Sequence, residues 1–99
     1  MMTNYRTIDW DRGQAVQAEI VVQRSRFLAH AFRAENEPDA RTFINEIRAQ
    51  HHDARHHCTA FVLGPDAALR RSNDDGEPSG TAGGPILDAI SGRNLSDVV

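Results

Sequence analysis

A short polar segment in the second half of the chain concentrates the residue types that bind ligands or take part in catalysis. It runs from Asn73 to Pro85 and contains four glycines, two prolines and three carboxylates. Glycines let the backbone approach a ligand closely, and an apolar helix predicted from Ile86 to Ile90 follows directly. Unpaired amides at a helix N-terminus attract anions. We therefore predict that this segment, the glycine-rich loop, is the ligand-binding part of the chain.

Two kinds of ligand chemistry are compatible with the glycine-rich loop. The backbone amides from Gly80 to Gly84, with the hydroxyls of Ser79 and Thr81, would hold a phosphate of RNA or of a nucleotide. The glycine-rich loop is not a Walker loop, because no lysine follows the glycines. The three carboxylates would repel a phosphate unless Mg²⁺ bridged them, and oxygen ligands this close in sequence suit that ion. A solvated structural connector is the alternative interpretation of the loop. The carboxylates are Asp74, Asp75 and Glu77.

The histidines and the cysteine form a second group with potential chemistry. By composition, His51, His52, His56, His57 and Cys58 are typical of a metal site. Their spacing contains no Cys-x-x-Cys pair, and strand alternation would point His57 away from His56 and Cys58. A nucleophile pair of Cys58 with His56 is another option, and buried packing of the cysteine is a third. We predict neither a metal nor a cofactor, and we include His56 among the ligand-binding residues.

The basic residues suggest a modest phosphate-binding surface. Arg70 and Arg71 adjoin the glycine-rich loop, and Arg24, Arg26 and Arg55 would extend the patch. All eleven basic residues are arginines, which suit phosphate contacts. The formal net charge is nevertheless −3, which argues against a strongly basic nucleic-acid grip.

Composition and length bound the class of protein. At 99 residues the chain is one domain or part of one. Its single cysteine excludes an internal disulfide and suits a reducing compartment. We find no apolar run of membrane-spanning length and no signal peptide, so we expect a cytoplasmic protein without a membrane contact.

Hydrophobic periodicity predicts an α+β fold. Short strands are expected over residues 18–23, 24–33, 56–63 and 69–72, and another begins at residue 96. A first helix starts near Pro38 and ends between residues 50 and 52, with Ala40, Phe43, Ile44 and Ile47 on its buried face. The second helix has Pro85 at its first position, a buried face of Ile86, Leu87 and Ile90, and Gly92 after its last turn. We divide the chain into an N-terminal segment, 1–17, and a domain, 18–99.

The C-terminal residues predict self-association. The stretch Ser96–Val99 has the pattern of a buried strand, and the chain stops within it. An unfinished edge strand would expose unpaired backbone groups and invite pairing with another chain.

Three stretches together resemble the IMPACT/YigZ family. The string from Arg71 to Asp88 is similar to that family's signature and is highly specific, because many residues match at set spacing. His56–Phe61 is similar to its His-x-Cys-x-Ala-aromatic strand, and Arg24–Ala29 to its Lys-Ser-x-Phe-Ile-Ala motif. The resemblance runs from about residue 20 to residue 99. Gly84 departs from it, because the family more often has a larger residue such as arginine there.

The resemblance implies a fold and a function. The fold would be a mixed, mostly antiparallel sheet with two helices on one face, similar to domain two of ribosomal protein S-five. Such chains continue into a last strand and a second, C-terminal domain, so we expect this one to be truncated. The function would be a non-enzymatic binding module linked to regulation of translation, through contact with a ribosome, RNA or a translation-related protein. The expected ligand-binding residues are Arg71, Ser72, Asp74, Asp75, Gly76, Glu77, Ser79, Gly80, Thr81, Gly83, Gly84 and His56.

The alternative function is an enzyme. Asp74, Asp75 and Glu77, with His30 or His56 as a base, would serve a phosphate- or Mg²⁺-dependent hydrolase, although no spacing demands it.

Overall fold

A computed structural model describes residues 5–8 and 15–99, and it confirms the predicted α+β class. Most of the predicted N-terminal segment therefore lies outside the described residues. Strands and helices follow one another in the expected order. The elements are β1 (Val16–Val22), β2 (Ser25–Ala31), α1 (Glu37–Gln50), β3 (Thr59–Leu63), β4 (Leu69–Asn73) and α2 (Gly83–Gly92).

The first two strands form an antiparallel hairpin. Val16 lies opposite Ala31 at one end, and Val22 lies opposite Ser25 at the other. The two turn residues, Gln23 and Arg24, have φ of 49° and 71°. Two consecutive left-handed residues match the twist of a tight hairpin, although glycine or asparagine is more usual there. Nearly all of the hairpin is exposed to solvent.

Helix α1 forms for the reasons that the sequence indicates. The side chain of Asn36 caps it by accepting a hydrogen bond of 2.8 Å from the amide of Asp39. Pro38 lies in the first turn, where its missing N–H costs nothing. Ala40, Phe43 and Ile44 are buried, which confirms the predicted core face, and Ile47 is partly buried against them.

Strand β3 is buried on both of its faces and determines where the helices lie. One apolar core joins Phe61 and Leu63 to α1, and a second joins Ala60 and Val62 to α2. Successive side chains of a strand point to opposite faces, so α1 and α2 pack against opposite faces of β3. This differs from the expected arrangement, with both helices on one face. An apolar run without polar alternation requires cover on both sides.

The C-terminal residues connect the two hairpins. Val98 exchanges two backbone hydrogen bonds of 3.0 Å with Val62, and Val99 exchanges bonds of 2.9 and 3.0 Å with Phe32. Both sides of this stretch are therefore paired. The prediction of an open edge at Ser96–Val99 was wrong, because the stretch lies between β2 and β3 and not at the rim. Bridges at Val98 are antiparallel and the bridge of Arg6 with Leu95 is parallel, which gives the mixed, mostly antiparallel pairing that was expected.

Two predicted boundaries need correction. Residues 56–58 precede β3 and are not part of a strand. Helix α2 begins at Gly83, so Gly83 and Gly84 are its first residues, Pro85 is its third, and Gly92 is its last. Ile86, predicted to be buried, is 37% exposed, and Ile90 with the partly buried Leu87 contacts the sheet.

Candidate functional site

The carboxylate of Asp74 holds the glycine-rich loop together. One oxygen accepts a hydrogen bond of 2.9 Å from the amide of Gly80. The other oxygen accepts hydrogen bonds from the amides of Ala82 at 3.1 Å and Gly83 at 2.8 Å. These hydrogen bonds lower the pKa of the Asp74 carboxyl, with the Gly80 amide the largest cause. The amides predicted to hold an external phosphate are thus largely taken by a side chain of the same loop. The prediction that the amides from Gly80 to Gly84 hold a phosphate was therefore wrong for the three amides that Asp74 binds.

Asp75 ties the loop to the rest of the domain. Its carboxylate accepts the amide of His57 at 2.6 Å and lies 3.8 Å from the Arg48 guanidinium of α1. The His57 amide is the main reason that the pKa of Asp75 is lowered, and the Arg48 charge acts in the same direction. The amide of Asp75 donates to the side chain of Asn73 at 2.7 Å, which is an Asx turn.

His56 closes this cluster from the side of β3. Its Nδ1 lies 2.7 Å from the carbonyl oxygen of Asp75, so that nitrogen carries the proton. Its Nε2 lies 3.6 Å from a carboxylate oxygen of Glu77. Gly76 has φ of 88°, and a Cβ there would stand 3.6 Å from the imidazole. The structure therefore brings His56 to the consecutive residues Asp75, Gly76 and Glu77, and all four were predicted as site residues.

Cys58 does not have the surroundings of a reactive nucleophile. Its thiol donates to the carbonyl oxygen of Asp74 at 3.3 Å. Burial, followed by the charges of Glu77, Asp75 and Asp74, raises the pKa of the thiol, and a protonated thiol is a poor nucleophile. Cys58 is partly buried and is held by the loop backbone, and it belongs to neither of the two apolar cores.

His56 and His57 each approach one loop carboxylate, Glu77 at 3.6 Å and Asp75 at 3.9 Å. The side chain of His57 lies 2.8 Å from the carbonyl oxygen of His51 through Nε2. Within residues 5–8 and 15–99, no group of three His, Cys, Asp or Glu side chains is placed to hold a metal ion.

The two glycines that begin α2 have different roles. A Cβ at Gly83 would stand 2.8–2.9 Å from backbone atoms of Asn73, a distance that real side chains do not tolerate. Glycine is needed there because α2 crosses the end of β4 closely. A Cβ at Gly84 would meet nothing within 4 Å. The position where the family resemblance is weakest is therefore open to a larger residue.

The remaining predicted site residues lie on the outer surface of this region. Arg71 and Ser72 are exposed on β4, and the Arg71 guanidinium donates to the carbonyl oxygen of Arg70 at 2.8 Å. Ser79 and Thr81 are exposed at the tip of the loop, where the Thr81 hydroxyl donates to Pro78 at 2.5 Å. A cavity of about 370 Å³ lies elsewhere, between the end of β2 and α1, and none of the predicted site residues lines it.

Sequence reasoning missed three residues that hold the site. Arg48 and His57 bond to Asp75, and Asn73 forms the turn before it. The spacing Asn73-x-Asp75 is a recognisable turn signal. The participation of Arg48 had no local signal, because the residue lies on a different element.

The structure thus defines an α+β domain with a self-braced polar loop between β4 and α2. In the described part of the chain, no helix combines the length and the apolar character needed to cross a membrane. The family model described as the Impact N-terminal domain matches residues 23–99. The chain therefore belongs to the IMPACT family, as the three sequence stretches indicated.

Similar proteins support this assignment over most of the chain. IMPACT family member YvyE of Bacillus subtilis is 42% identical over 97 residues, which are 98% of this chain and 43% of that protein. IMPACT family member YigZ of Escherichia coli is 39% identical over 79 residues, which are 78% of this chain and 39% of that protein. The chain spans about two fifths of the length of these relatives.

A solved structure agrees with the fold. It is described as the crystal structure of a hypothetical protein, and it aligns with a TM-score of 0.81 and 36% sequence identity. The alignment covers 85% of this chain and 42% of that one.

Proposed function

We propose that this domain is a non-enzymatic, cytoplasmic binding module that takes part in the regulation of translation through contact with a ribosome, RNA or a translation-related protein. The observation that carries the proposal is the bracing of the glycine-rich loop by Asp74. A loop whose amides are held by its own carboxylate presents its outer residues in one arrangement. A binding surface benefits from such preorganisation, because less conformational entropy is lost when a partner docks.

The outer surface of the loop has mixed charge. Arg70 and Arg71 are exposed on β4, and the loop that follows carries Glu77, with the exposed hydroxyl residues Ser79 and Thr81 at its tip. A uniformly basic surface would favour nucleic acid alone, and the net charge of −3 is of the opposite sign. Exposed charges of both signs suit a protein or ribonucleoprotein partner, since complementary charges orient the two surfaces.

The positions of the carboxylates favour binding over hydrolysis. Asp74 and Asp75 both accept backbone amides of their own chain, and these bonds lower both pKa values. Three backbone amides therefore occupy most of the acceptor capacity of Asp74, and one amide occupies one oxygen of Asp75. A hydrogen-bonded carboxylate of low pKa is also a weak base.

Cosedimentation with bacterial ribosomes tests the proposal. We expect binding at moderate salt that weakens as salt rises, and we expect Arg71→Ala to reduce affinity and to lower the salt slope by about one. Arg93→Ala is the matched control, because this exposed arginine lies beyond the other end of α2, about 15 Å along the helix axis.

Three results would contradict the proposal. If the domain binds no ribosome, RNA or protein partner, the proposal is refuted. If Arg71→Ala and Arg93→Ala have equal effects on affinity, the surface around Arg71 is not part of the contact. Mg²⁺-dependent phosphate release that is lost in Asp75→Ala would support the hydrolase instead.

A further inference from the structure

The two faces of the β1–β2 hairpin differ in charge. Directly opposed residues share a face, and the register places Val16 with Ala31, Ala18 with Ala29, Ile20 with Phe27, and Val22 with Ser25. These eight residues, the apolar hairpin face, include no charged side chain. The other face carries the ion pair of Glu19 and Arg26 at 2.5 Å, together with Gln17, His30, Val21 and Leu28.

Most of the apolar hairpin face is exposed to solvent. Val16, Ile20, Val22 and Phe27 expose 57%, 60%, 51% and 53% of their surface. An isolated two-stranded hairpin is marginal in water unless its apolar side is packed. Contiguous exposed apolar surface rimmed by polar residues marks an interaction site. Within residues 5–8 and 15–99, the hairpin therefore has the composition of a packed sheet without a packing partner.

Small and large side chains alternate along this face, so the face is complementary in shape to a second copy of itself. Ala18 and Ala29 form a shallow level across the two strands, and Ile20 and Phe27 form a raised level immediately beside it. The centre between the two levels lies at Glu19 and Leu28, which point to the other face. When a second copy faces the first and is related to it by a half-turn about that centre, the raised level of each copy lies over the shallow level of the other.

We propose that the apolar hairpin face docks onto the same face of a second copy of this chain, with the two hairpins antiparallel. Ile20 and Phe27 of each copy fill the space above Ala18 and Ala29 of the partner copy, and Val16 lies over Val22. The contact is isologous, because both copies contribute the same patch. Packed sheets stand about 10 Å apart, which suits side chains of these sizes. No charge is buried, so no desolvation of ions opposes the contact.

The area decides how strong the association is. Four large side chains that are more than half exposed, with the alanines between them, offer roughly 500 Å² per copy. Two copies would bury about 1,000 Å², near the lower limit for a specific protein interface. The dimer is accordingly weak and reversible, and its population depends on concentration. This route to self-association uses the hairpin face and not the paired C-terminal residues.

Sedimentation velocity across a concentration series, from about 5 μM to about 1 mM, tests the proposal with three variants. Ile20→Glu should weaken the dimer at least tenfold, because it places a charge in the contact. Val21→Glu is the matched control, since Val21 is 65% exposed on the opposite face of the same strand, and it should change the dissociation constant less than twofold. Ala18→Leu adds apolar surface but fills the shallow level. Interdigitation predicts a weaker dimer for this variant, and generic adhesion predicts a stronger one.

Each result is decisive once unfolding curves show that the variants remain folded. Loss of the dimer in Ile20→Glu and in Ala18→Leu, with Val21→Glu unchanged, supports the arrangement. A monomer at every concentration, a stronger dimer in Ala18→Leu, or equal losses in Ile20→Glu and Val21→Glu would overturn it.

Discussion

The glycine-rich loop and the β1–β2 hairpin are opposites in this domain. The loop has almost no regular secondary structure, but Asp74 and Asp75 each bind backbone amides that fix its path. The hairpin has continuous in-register pairing over seven residue pairs, but its side chains remain exposed. Regular backbone bonding and anchoring to the body of a protein are therefore separate properties.

The difference follows from where each region finds partners. Short polar side chains bond to nearby backbone groups, so a loop rich in them stabilises itself. Apolar side chains gain free energy only when another surface removes them from water. The hairpin thus depends on a neighbour, whereas the loop depends on its own carboxylates.

The largest effect that would test the anchoring of the loop is expected at Gly83. We expect Gly83→Ala to lower the free energy of unfolding by about 3 kcal/mol, because the new Cβ would collide with the backbone of Asn73. Gly84→Ala, one residue along, should be neutral or should stabilise by about 0.5 kcal/mol, since alanine favours helix and the position is open. Urea denaturation measures both. Equal losses in the two variants would show that α2 does not approach β4 as described.

A matched pair of valines compares the hairpin with the core. Val62 is fully buried and Val21 is 65% exposed. We expect Val62→Ala to cost about 2 kcal/mol through the lost burial and the cavity, and Val21→Ala to cost less than about 0.5 kcal/mol. Thermal or urea unfolding is the measurement. A similar cost at both positions would mean that the side of the hairpin carrying Val21 is packed in solution.

The smallest effect concerns the charge of Asp74. Its pKa in the folded chain is below the ordinary value of 3.8, so its contribution to stability is present above that value and is lost as the pH falls through the lower folded pKa. Asp74→Asn should remove this acid-sensitive part and should speed hydrogen exchange at Gly80, Ala82 and Gly83 by about tenfold. Asp88→Asn, an exposed change of equal charge on α2, is the control. Unchanged exchange in Asp74→Asn would show that the carboxylate does not brace the loop.

Local signals in the sequence predicted most of the elements and much of the site. The spacing of Ala40, Phe43 and Ile44 predicted the buried face of α1, because helical periodicity is a property of neighbouring residues. The concentration of glycines and carboxylates after β4 identified the loop. The resemblance to the IMPACT family rested on the same stretch and was confirmed by the family match over residues 23–99.

The errors arose where distant residues override local preference. The start of α2 was placed at Pro85, because proline suits the first position of a helix. The Asp74 carboxylate nevertheless accepts hydrogen bonds from the amides of Ala82 and Gly83, eight and nine residues away, and so satisfies two amides at the start of the helix. Residues 56–58 were expected to continue a strand, but His56 and His57 bond to Asp75 instead.

The sequence by itself determined the α+β class, the order of the elements, the family and the position of the polar loop, because each depends on residues close together in the chain. The tertiary structure decided that the helices cover opposite faces of β3, that the loop amides are held by Asp74, and that Ser96–Val99 lies between the hairpins. These features depend on which partners meet across the fold. A hydrogen bond or an apolar contact between residues far apart in sequence leaves no periodic trace in either stretch.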